Sequence, residues 1–252
     1  MDSPTFATSG FVLSVRRFRR YLPLLVGVII LAGLRPRSWQ DEFLNSLTTW
    51  IGIAFCALGQ GWRLWAWGSN ANAGKRAVRS RGPYALMRHP LYTGNFFILL
   101  GVTVSFNNPW AYLLLLVPFA YLYHLITNLD ERRMSERVGV TYKTYTEETL
   151  SRFLPQFRNL KRANRTTVPF NFQYAWGKEY NCICAWLAGV PTLGIYRDAV
   201  TYGWEQALYE NPVSLGVSGF CGALAILLNV RRHIGRKKRL LKHYERTDKA
   251  HA

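Results

Sequence analysis

Acidic residues are scarce in this chain of 252 residues: 14 Asp and Glu stand against 32 Lys and Arg, a formal charge of +18. Cysteine is sparse too. The four cysteines, Cys56, Cys182, Cys184 and Cys221, lie in or at the edges of apolar runs, and Cys182-x-Cys184 lacks a second pair at metal-ligand spacing, so they read as small apolar residues. There is no internal repeat. No small-residue cleavage site follows Leu34, where Arg35 and Arg37 flank Pro36. Arg16, Arg17, Arg19 and Arg20 therefore precede an uncleaved anchor rather than forming the start of a signal peptide.

The mean hydropathy of −0.04 conceals how apolar residues are distributed, because they come in blocks. Candidate spans are Tyr21 to Leu34, Leu47 to Trp67, Leu91 to Phe106, Trp110 to Thr127, Cys182 to Val200 and Val213 to Val230. Each is near the length that crosses roughly 30 Å of hydrocarbon. Asn107-Asn108-Pro109 between the third and fourth forces an antiparallel hairpin. The expected fold is all-α: a polytopic membrane helix bundle of about six spans.

The positive charge invites a nucleic-acid reading, but its placement argues otherwise. Of the 32 Lys and Arg, 28 fall before the first span, in 68–90, in 128–180 or after residue 230, all on one side of a six-span arrangement. The other side carries Arg35 and Arg37, and its last loop holds Glu205 and Glu210. Positive-inside bias then puts both termini and both long loops in the cytoplasm, leaving no charge that needs nucleic acid to explain it. The basic tail from Arg231 to Lys249 reads as a cytoplasmic anchor meeting anionic lipid headgroups.

Between the spans, Asp130 to Glu148 is charged and free of proline, with Met134, Val138, Tyr142 and Tyr145 at helical spacing; it predicts an amphipathic helix continuing from the fourth span. Asn159 to Pro169 reads as a basic linker. The alternation of Phe170, Phe172, Tyr174 and Trp176 then suggests an interfacial aromatic segment. Arg63 is expected to snorkel from its span to the cytoplasmic edge, and Arg197 to pair with Asp198 at the opposite edge.

The densest chemistry is Arg81-Gly82-Pro83-Tyr84, then Arg88-His89-Pro90, Tyr92 and Gly94, directly before an apolar helix. Ionisable groups at a membrane edge are costly and point to function. The pattern Gly82-Pro83-Tyr84-x-x-x-Arg88-His89-Pro90-x-Tyr92-x-Gly94 resembles the signature of the membrane methyltransferase superfamily that includes isoprenylcysteine carboxyl methyltransferases and bacterial phospholipid N-methyltransferases. A second block, Asp130-Glu131-x-x-Met134, Gly139-x-x-Tyr142-x-x-Tyr145 and Arg152-Phe153-Leu154-Pro155, resembles the same family, and the likeness covers about residues 45 to 156.

The resemblance implies a methyltransferase core over 1–156 with a cytoplasmic S-adenosylmethionine site, a basic and interfacial segment over 157–180, and a two-span extension over 181–252. A lipophilic or lipidated acceptor would enter from the bilayer. Tyr84, His89, Pro90, Tyr92, Gly94, Glu131, Tyr142 and Tyr145 would form the cofactor site. His89 or Glu131 would take a proton from an amine acceptor, and Arg88 or Arg152 would hold a carboxylate acceptor. A phospholipid amine, an isoprenylcysteine-type carboxylate and a thiol remain open as acceptors. Rival readings are an NADPH-dependent membrane reductase of sterol-like double bonds, and a non-catalytic protein that binds anionic lipid.

Overall fold

A computed structural model of the protein describes residues 33–37, 41–74, 77–164 and 169–251, with side chains as far as residue 235. The expected first span, apart from its last two residues, and the arginines before it lie outside the described residues. Those described are helical, without a strand.

Helix α1, Glu42–Gly68, opens at Asp41, whose carboxylate accepts the Phe43 N–H at 2.8 Å. After the short helix α2, Pro83–Leu86, comes α3, Pro90–Phe106, with proline at its first turn where the missing N–H costs nothing. A glycine seam joins α1 to α3. A Cβ on Gly52 would lie 2.5 Å from the Gly101 carbonyl, and one on Gly59 would lie 2.5 Å from that of Gly94, so the two backbones touch where side chains are absent.

The expected hairpin follows. Asn107 takes a left-handed conformation (φ 50°), and Asn108 caps α4, Pro109–Val138, by accepting the Trp110 N–H at 2.8 Å. Thirty residues of helix extend about 45 Å. The end beyond the apolar stretch Trp110–Thr127 therefore projects past a hydrocarbon layer of roughly 30 Å. The projection does not run unbroken to Glu148 as the periodicity suggests. Gly139, at φ 60°, ends α4 and starts α5, Val140–Glu148, so the helix turns a corner there.

The stretch from Asn159, expected as a linker, carries local structure in its described part: a 3-10 turn, Phe157–Asn159, leads into α6, Leu160–Asn164, which buries Ala163 against Ala85, Leu86, Trp62 and Trp65. The aromatic segment from Phe172 is the first part of α7, Phe172–Tyr202, capped by Asn171, which accepts the Tyr174 N–H at 2.8 Å. The helix starts ten residues before Cys182 because its polar first turns have partners on α1. A short α8, Trp204–Glu210, joins α7 to the long α9, Pro212–His251.

Among the described residues two helices, Pro109–Val138 and the Pro212–Gly235 part of α9, are long and apolar enough to cross a membrane; α3 is apolar but shorter. Helices α1 and α7 carry buried polar groups that meet between them. Near one end Arg197 pairs with Asp198 at 3.2 Å, as expected, and also donates to the Asn45 carbonyl at 3.1 Å. Near the other end Arg63 does not snorkel. Its guanidinium donates to Glu179 of α7 at 2.7 and 2.8 Å.

Candidate functional site

The two sequence blocks are stitched together through their backbones. Past α2 the chain is extended at Met87, and the N–H groups of Arg88 and His89 donate to the carbonyls of Ser151 and Arg152, both at 3.0 Å. The Gln156 N–H donates to the Leu86 carbonyl at 3.0 Å, and the Thr93 hydroxyl to the Phe153 carbonyl at 2.9 Å. This ladder carries Arg152 to the projecting end of α4.

There Glu131 is the centre of a charge cluster. One carboxylate oxygen lies 3.0 Å from His89 Nε2 and 3.3 Å from Arg88 Nη1; the other accepts from Arg152 Nη2 at 2.8 Å. Arg152 also donates to Asn128 at 2.8 Å, and Arg88 to the Leu150 carbonyl at 3.1 Å. The Glu131 side chain is only 12 % exposed. Burial on its own would raise the carboxyl, but the His89 hydrogen bond and the charges of Arg88 and Arg152 outweigh it, so Glu131 titrates below its ordinary value.

Aromatic rings surround the cluster. His89 stacks on Tyr92 at 5.6 Å and lies 6.0 Å from Phe153, while the Tyr92 hydroxyl donates to Asp130 at 2.7 Å. Tyr142 and Tyr145 are buried 6.0 Å apart. Burial, reinforced by the Glu131 charge, pushes the Tyr142 phenol up to about 12, so it stays protonated. Burial raises Tyr145 as well, and its hydroxyl donates to the Tyr84 carbonyl at 2.8 Å.

Arg88, His89, Glu131, Arg152, Tyr92 and Tyr142 thus come together. Tyr145 supports them from behind. Tyr84 enters through its carbonyl, while burial raises its phenol against the lowering charge of Arg79. Pro90 is a buried helix start, and Gly94 sits in the α1–α3 seam against Gly59 and the Arg63 stem, apart from the cluster. Sequence reasoning passed over Asn128 and Asp130, although Asp130 is the first acid of the second block. It also passed over Glu179, which stands three residues before the apolar run that begins at Cys182 and pairs with Arg63.

Beside the cluster lies a half-open apolar groove of about 510 Å³. Leu58, Trp62, Phe96, Phe119, Tyr123 and Phe153 line it, and Tyr92 belongs to both groove and cluster. A polar centre and a lipophilic slot share a wall.

The family model described as Phospholipid methyltransferase matches residues 47–139, a stretch that takes in the first block and the start of the second. The chain is 23 % identical over 113 residues to the nickel-cobalt-cadmium resistance protein NccN of Alcaligenes xylosoxydans xylosoxydans, covering 44 % of this chain and 53 % of that protein. It therefore spans about half the length of that relative. No solved structure matches the chain.

Proposed function

We propose that this chain is a multi-pass membrane enzyme that transfers a methyl group from S-adenosylmethionine to a lipid-soluble or lipid-linked acceptor. One observation carries the reading: the Glu131 cluster, assembled from both blocks, shares the Tyr92–Phe153 wall with an apolar groove.

The donor set fits the cofactor. Acidic Asp130 and Glu131 suit its ammonium and ribose hydroxyls, the Tyr92, Tyr142 and Phe153 rings suit a sulfonium, and Arg88 Nε, buried with no hydrogen-bond partner, is a donor for its carboxylate. When bound, S-adenosylmethionine supplies a methyl carbon activated by the positive sulfur.

The chain's own residues then align the partners and exclude water. Glu131 is ionised and can only accept, so His89 Nε2 donates to it, and in the neutral ring Nδ1 remains an acceptor. His89 is thereby the group that takes a proton from an amine or thiol acceptor, and Glu131 orients it. A carboxylate acceptor would instead meet Arg152, whose side chain is 35 % exposed. The groove holds the hydrocarbon part of the acceptor.

In this reading the helices form six spans with both termini cytoplasmic, as the one-sided charge suggests. Arg79 lies 4.7 Å over the Trp67 ring and Lys178 lies 5.6 Å from it, a basic and aromatic edge suited to anionic headgroups. Among the described residues no three His, Cys, Asp or Glu side chains gather as metal ligands, and metal resistance forms no part of the proposal.

The test is S-adenosylmethionine binding to the purified full chain in detergent. Saturable binding is expected, weakened at least tenfold in His89→Ala and Glu131→Ala, with radiolabelled methyl groups appearing in extracted lipid. No binding, or NADPH binding instead, would sink the reading.

A further inference from the structure

The apolar groove has one wall whose polar atoms are tied to a distant part of the chain. Glu179, from the two-helix unit that follows the family match, is 1 % exposed and grips Arg63 of α1 with both carboxylate oxygens, while Gln60 Nε2 donates to it at 3.1 Å. Arg63 continues inward. Its Nη1 donates to the Leu91 carbonyl at 3.4 Å and to Asn95 Oδ1. With Oδ1 occupied, the Asn95 amide can face only one way, so its Nδ2 donates to the Tyr123 hydroxyl at 2.8 Å. Tyr123 lines the groove, stacked on Phe119 at 4.0 Å and edge-on to Tyr92 at 4.6 Å.

We infer that Glu179 is a positioning residue for the acceptor groove: through Arg63 and Asn95 it fixes the Tyr123 hydroxyl as the polar point that sets the depth of the acceptor's head. This rests on the methyltransferase reading for what fills the groove; the link from Glu179 to Tyr123 stands on contacts alone. The link also assigns a task to α7. A family segment ending at residue 139 contains Arg63, Asn95 and Tyr123 but no Glu179, and a guanidinium buried without a carboxylate is costly. Freed from Glu179, Arg63 would swing away, and the Asn95 amide could flip and present its oxygen to Tyr123 instead.

Two measurements on the full chain in lipid nanodiscs decide it. The first incorporates 3-fluorotyrosine and assigns the Tyr123 resonance by its disappearance in Tyr123→Phe. Glu179→Gln, which preserves volume and one acceptor oxygen, is expected to shift that resonance by more than its linewidth. The paired variant Arg63→Met/Glu179→Leu, which removes both charges together and leaves neither unpaired, is expected to do the same. An unmoved resonance in both would overturn the inference whether or not the chain transfers methyl groups.

The second measurement compares kinetics with the lipid acceptor identified by labelling. Tyr123→Phe and Glu179→Gln are each expected to raise the acceptor KM about tenfold, with S-adenosylmethionine affinity unchanged within about twofold. The double variant should be no worse than either single one, because both break the same chain. Fully additive losses, or a fall in cofactor affinity that accounts for the whole effect, would overturn it. Absence of S-adenosylmethionine binding in the unaltered protein would instead remove the methyltransferase reading and leave the resonance measurement to stand.

Discussion

Glu131 balances two guanidinium groups with one charge and accepts from His89 as well, so its removal does more than delete a contact. Glu131→Gln leaves the Arg88 and Arg152 guanidinium groups facing each other with no anion between them. A loss on the order of 2 kcal/mol is expected, lower than for a fully buried pair because Arg152 is partly solvated. Its pH dependence has a definite sign. The folded carboxyl titrates below its ordinary value of 4.5, so its stabilisation is complete above that pH and disappears as the pH falls through the lowered value. Thermal unfolding in detergent should show the unaltered protein losing more Tm below about pH 4.5 than Glu131→Gln loses over the same range. Parallel curves would show that the cluster contributes no linked stability.

Among the elements, the α1–α3 seam is the least tolerant contact. A Cβ at Gly101 would lie 2.6 Å from Cys56 Sγ, and the Gly52 carbonyl is closer still. Gly101→Val is expected to lower stability by about 1–3 kcal/mol or to abolish the folded monomer. Gly216→Ala, with open space around it, should stay within about 0.5 kcal/mol. Thermal unfolding of the two variants side by side checks the contrast. Such helix positions were legible in the sequence, since apolar length locates α3 within a residue and Asn-Asn-Pro marks the hairpin. Less visible were features set by partners far along the chain. The bend at Gly139 depends on α5 returning to bury Tyr142 and Tyr145, and the helix over 160–164 offers just Leu160, left exposed, and the small Ala163 to announce an apolar face. The Arg88–His89–Glu131–Arg152 cluster could be anticipated through the family likeness, whereas Glu179 could not, because Arg63 read in isolation suits a membrane edge equally well.

For the molecule as a whole, the one-sided charge makes a topological claim that chemistry can check. Glu205→Cys, exposed on α8, should react with a membrane-impermeant maleimide added to intact cells, and Lys143→Cys, exposed on α5, only after the membrane is opened. Labelling of both from outside would reverse the cytoplasmic assignment of the cluster. The Arg63–Glu179 pair also sets a schedule for making the protein. The partners are 116 residues apart, and at synthesis rates of roughly 5–20 residues per second Arg63 leaves the ribosome about 6–23 seconds before its counter-ion exists. In the proposed six-span arrangement α1 holds an unmatched cation during that interval, which would stay near the membrane surface or borrow a lipid phosphate, so α1 is expected to reach its final depth only when α7 arrives. A nascent chain halted before residue 179 is therefore expected to be a target for membrane quality control, and one halted after α7 to escape it.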